Sequence, residues 1–82
     1  MRMVDDPYKE LAAAIMKTAI MDYKRAYKHY LRSPQSASAK AAAERQKKFF
    51  YSDWFEVLAD QVDGPRLAAM IEEKARREVM PK

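Results

Sequence analysis

The side chains with the most chemistry to offer are cationic. Lys24, Arg25, Lys28 and Arg32 fall within one short stretch that also holds Tyr23, Tyr27 and Tyr30, and Lys47 and Lys48 follow further along. Lysine and arginine hold phosphates by charge, and aromatic rings stack on bases, so this set points to nucleic acid or a nucleoprotein complex as partner. Two ordinary roles stand beside that reading. Cations in the last turns of a helix oppose its macrodipole favourably, and tyrosines at helical spacing pack into cores or their rims.

Catalytic constellations are absent from the sequence. His29 is the sole histidine and there is no cysteine, which excludes multi-histidine metal sites and cysteine–histidine pairs. On a helix, Arg25 would lie one turn before His29 and Ser33 one turn after, a polar-face setting rather than that of a general base. Asp5-Asp6 and Glu72-Glu73 are sequence neighbours whose carboxylates point apart, and the single glycine, Gly64, cannot make a glycine-rich phosphate loop. The chain reads as non-enzymatic, without metal or cofactor.

A second group suggests contact rather than chemistry. Residues 49–55 hold Phe49, Phe50, Tyr51, Trp54 and Phe55, five of the nine aromatic residues in seven positions. One helix face cannot hide so many. Either the helix breaks there, with Ser52 or Asp53 capping a fresh turn from Trp54, or part of the cluster is a protein-interaction surface, for which Tyr51, Trp54 and Phe55 are the candidates.

The elements that must position these groups are helical. Alanine, lysine, glutamate, arginine, methionine and leucine abound, while glycine and β-branched residues are sparse. Pro7, Pro34, Pro65 and Pro81 cut the chain into three. Helix 1 is predicted from an Asp6 cap with Pro7 in the first turn to Leu31 or Arg32. Its core stripe would comprise Tyr8, Ala12, Ile15, Ala19, Tyr23, Ala26 and Tyr30, flanked by Leu11, Met16 and Tyr27. Helix 2 is predicted to follow Ser36, its alanines 37–43 admitting a close neighbour and Phe49, Phe50, Trp54, Val57 and Leu58 supplying bulk. Asp63-Gly64-Pro65 reads as a stop and restart, with Asp63 capping and Gly64 free to take positive φ. Helix 3 would bury Leu67, Met70, Ile71 and Ala75.

The expected fold is therefore all-α: one domain over residues 1–82, an antiparallel hairpin with a long first helix, a shorter C-terminal helix and a kink near Ser52. At 82 residues its core is thin, and without disulfides it needs tight packing, a partner or oligomerisation. No apolar run approaches the roughly 20 residues that span a bilayer, so no membrane is expected and the cytoplasm is the default location.

Charge is unevenly distributed. The net charge is +4, yet residues 23–48 hold eight basic side chains against Glu44 alone, a net of +7. A helix 1–helix 2 hairpin would gather these at one end.

The run Phe49-Phe50-Tyr51-Ser52-Asp53-Trp54-Phe55, followed by Asp63-Gly64-Pro65-Arg66-Leu67, resembles a family of small helical proteins carried by prophages and mobile elements of Gram-positive gut bacteria. The likeness covers most of residues 8–75 and departs from the family at Tyr51, where members are basic, and near Ala68. It implies a phage-type setting and no particular activity.

Three functions compete. The leading one is a phage or mobile-element accessory protein whose basic hairpin end binds nucleic acid through Lys24, Arg25, Lys28, Arg32, Lys47 and Lys48. The second is an anti-defence inhibitor of the anti-CRISPR type, docking on a host protein through the aromatic segment. The third is a homo-oligomer that holds a small anionic ligand between subunits.

Overall fold

A computed structural model describes residues 7–59 and 62–80, less the side chains of residues 7–9 and 58. Four helices follow in order: α1 (Pro7–Arg32), α2 (Ala37–Phe50), α3 (Asp53–Leu58) and α4 (Gly64–Val79), and the described residues hold no strand. The all-α hairpin is thus observed, with α1 packed against both α2 and α4. Asp6 and Tyr8, the expected first cap and the first member of the α1 stripe, lie outside the described residues and side chains, as does the Leu58 side chain.

Local chemistry sets the boundaries. The Ser36 hydroxyl accepts the Ala39 N–H at 3.2 Å and so caps α2. Ser52 ends one helix and starts the next: its hydroxyl donates to the Phe49 carbonyl at 2.7 Å and accepts the Phe55 N–H at 3.2 Å. Of the kink and the break weighed for this point, the break is observed, and it yields a separate short helix beginning at Asp53, so four helices stand where three were expected. Asp63 caps α4 by accepting the Arg66 N–H, with Pro65 in the first turn as expected.

The break solves the crowding of aromatics. By turning α3 away from the α2 axis it brings Phe55 back against Phe49 and Phe50, at ring separations of 5.7 and 5.5 Å. Phe50 and Phe55 are fully enclosed, as are Tyr23 and Ala68, and Ala43 and Ile71 are buried beside them. Each buried phenylalanine contributes on the order of 2–3 kcal/mol of transfer free energy.

Gly64 makes this closure geometrically possible. A Cβ at that position would sit 1.8 Å from the Phe50 carbonyl oxygen, so only hydrogen fits where α4 starts against the end of α2. The expectation of a positive φ was misplaced: Gly64 is the first residue of α4, and proximity, not backbone sign, demands it. Beyond it α4 lays Gly64, Ala68, Ile71 and Ala75 inward. Met70, expected in that stripe, is exposed, as are Leu11 and Val57. On α4 the side carrying Gly64, Ala68, Ile71 and Ala75 faces the core, and on α3 Phe55 turns inward while Trp54 and Val57, both expected to add bulk to the core, stay outside.

The chain is elongated, 50 × 28 × 17 Å, with a radius of gyration of 14.5 Å against about 12 Å for a compact chain of this length. Helix α1, about 39 Å long from its 26 residues, outruns the shorter α2 and α4 beside it.

Candidate nucleic-acid interface

At about 100° per residue, Tyr23, Tyr27 and Tyr30 fall within about 60° of one another on α1, while Arg25, Lys28 and Arg32 lie on the opposite side. The two groups alternate in sequence and separate in space. Tyr23 is 1% exposed and its ring packs on Phe50. Tyr27 and Tyr30 are half-buried against the same core. The tyrosines therefore stand apart from the α1 cations and pack into the core and its rim, the ordinary role weighed for them, and the recess they line holds Lys40 and Lys47 of α2 instead.

Helix α4 supplies partners that the sequence reading missed. Glu72 and Glu78 flank its inner stripe. The Glu72 carboxylate accepts the Tyr23 hydroxyl at 2.5 Å and pairs with Lys47 at 3.3 Å. Burial, and then the bond to Glu72, drive the Tyr23 phenol well above its ordinary range, so it stays protonated. Glu78 takes Lys28 at 2.9 Å and Lys24 at 3.2 Å, and these two ammonium groups, Lys28 first, hold its carboxyl below the usual carboxylate range. Arg76 donates to the Tyr27 hydroxyl at 3.1 Å. Three of the six proposed phosphate contacts, Lys24, Lys28 and Lys47, thus also fasten α4 onto the hairpin.

The six do not form one surface. Lys24, Arg25, Lys28 and Arg32 line one side of α1 with Met21, around a shallow groove of about 330 Å³, with Arg25 and Arg32 exposed and Lys24 and Lys28 half-buried beside Glu78 of α4. Lys47 turns toward α4 and sits 5.7 Å from the Tyr51 ring centroid. Neither Lys47 nor Lys48 lines that groove or its neighbour beside His29. Both stand in the last turn of α2, far from the hairpin turn, because α2 runs back along α1. The expected convergence at one end holds for the α1 cations and fails for these two. Arg25 is largely exposed with Asp22 at 3.5 Å, and Arg32 is exposed.

No family model, curated protein or solved structure matches this chain. Its own geometry therefore carries the functional argument. Of the aromatic candidates, Tyr51 and Trp54 are each 57% exposed, whereas Phe55 is 0% exposed. Phe55 is corrected from contact residue to core, since no partner reaches it without unfolding α3. Among the described residues no three histidine, aspartate or glutamate side chains gather closely enough to hold a metal ion, and no helix is long and apolar enough to cross a membrane.

Proposed function

We propose that this chain is a non-enzymatic phage or mobile-element accessory protein of the cytoplasm that lays the outward side of α1 along the phosphate backbone of a nucleic acid. The carrying observation is the single cationic side formed by Lys24, Arg25, Lys28 and Arg32. The inward tyrosines leave that side without a stacking element, so the reading is of backbone contact with little sequence preference. Lys47 and Lys48 are no part of it.

Fluorescence anisotropy with double-stranded DNA, single-stranded DNA and RNA over a salt series tests this. Binding should weaken steeply with salt, and an Arg25→Gln/Arg32→Gln variant should lower the slope of log affinity against log salt by about 2. Lys48→Gln should leave it unchanged. Salt-independent binding, or none to any of the three, would sink the proposal and favour the inhibitor reading, for which exposed Tyr51 and Trp54 are the anchors.

A further inference from the structure

Around α3 the molecule carries a second surface that the α1 side does not touch. Trp54 and Val57 lie one turn apart and are 57% and 64% exposed; Val62, 45% exposed, follows where its N–H meets the Ala59 carbonyl. Among the described residues from 53 to 63 the charged side chains are acidic: Asp53 and Glu56 on α3 and Asp63 at the start of α4, all exposed. An indole on a short helix, rimmed by carboxylates, is an apolar knob in search of a cationic socket.

The chain itself presents that socket. The α1 groove of about 330 Å³ is walled by Lys24, Arg25, Lys28 and Arg32, and Met21, 50% exposed, supplies its apolar wall. Guanidinium and ammonium groups favour the face of an indole, and the methionine thioether favours aromatic rings. We infer that Trp54 of one copy seats in the Met21 groove of a second copy, with Asp53 and Glu56 meeting the arginines at its rim. Knob and socket share no residue, so one such contact joins two copies and leaves one socket and one knob free in the pair. The inference does not rest on the nucleic-acid reading; if both hold, nucleic acid and the second copy compete for the same cations.

Trp54 is the sole tryptophan, so its emission reports the contact directly. Sedimentation velocity and Trp54 emission are measured together on the full chain, without nucleic acid, from micromolar to millimolar concentration at low and high salt. The expected result is a weight-average mass that rises with concentration, a blue shift of Trp54 in step with it, and dissociation at least about tenfold easier at high salt. Two charge-reversed variants, Asp53→Lys/Glu56→Lys and Arg25→Glu/Arg32→Glu, should each stay monomeric alone and associate when mixed, since reversal on both sides restores complementarity. Asp63 is left intact because it caps α4, and circular dichroism checks that both variants fold. A wild-type chain that is monomeric throughout, association that leaves Trp54 emission unmoved, or a mixture that fails to associate would each overturn the inference.

Discussion

The Tyr23 hydroxyl of α1 donates a 2.5 Å hydrogen bond to the Glu72 carboxylate of α4, joining residues 49 positions apart at the centre of the three-helix contact. Glu72 in turn reaches Lys47 of α2, so one carboxylate ties α4 to both arms of the hairpin. Removing the hydroxyl in Tyr23→Phe should cost about 1.5–3 kcal/mol in chemical denaturation, the range for hydrogen bonds to charged groups.

The same bond sets an alkaline limit. The folded phenol titrates above the ordinary tyrosine value of about 10, so the folded state binds a proton that the unfolded state releases. That stabilisation is complete below the unfolded value and declines as pH rises beyond it. Stability of the wild type should therefore fall more steeply above about pH 10 than that of Tyr23→Phe, in which lysine titration is common to both. Ultraviolet titration should show one tyrosine that ionises only on unfolding.

Gly64→Ala should destabilise even though alanine is the better helix former by about 1 kcal/mol. Its Cβ would fall 1.8 Å from the Phe50 carbonyl oxygen, which is backbone and cannot rotate away. Thermal unfolding should report a loss of about 2 kcal/mol or more, at the upper end of overpacking costs. A neutral or stabilising result would mean that α4 does not start against α2 in this way.

Adjacent aromatics should respond oppositely. Phe55→Ala empties a fully enclosed site and should cost about 3–5 kcal/mol. Trp54→Ala, at an exposed position, should change stability by about 0.5 kcal/mol or less. Urea denaturation of the pair distinguishes core from surface without reference to any partner.

Glu78 holds Lys24 and Lys28 on the cationic side of α1. With its carboxyl held below the usual range, its contribution is present above the unfolded value and is lost as pH falls through the folded one. Glu78→Gln frees both ammonium groups, so DNA affinity in the anisotropy assay should rise. An unchanged affinity would show that neither lysine takes part in binding.

The helical class, most helix boundaries and the excess of positive charge on residues 23–48 were legible in the residues alone. These follow from local rules: proline in first turns, Ser36 and Asp63 accepting backbone N–H groups at helix starts, and the 3.6-residue period that places Arg25, Lys28 and Arg32 together. The same period already separated those cations from Tyr23, Tyr27 and Tyr30. Tertiary structure alone decided which aromatics were hidden, because Phe55 and Trp54 are neighbours of similar hydrophobicity and only the direction taken at Ser52 tells them apart. It alone decided that Lys24, Lys28 and Lys47 would be answered by Glu78 and Glu72, since charge pairing between residues about 25–54 positions apart has no local signature and depends on where α4 comes to rest.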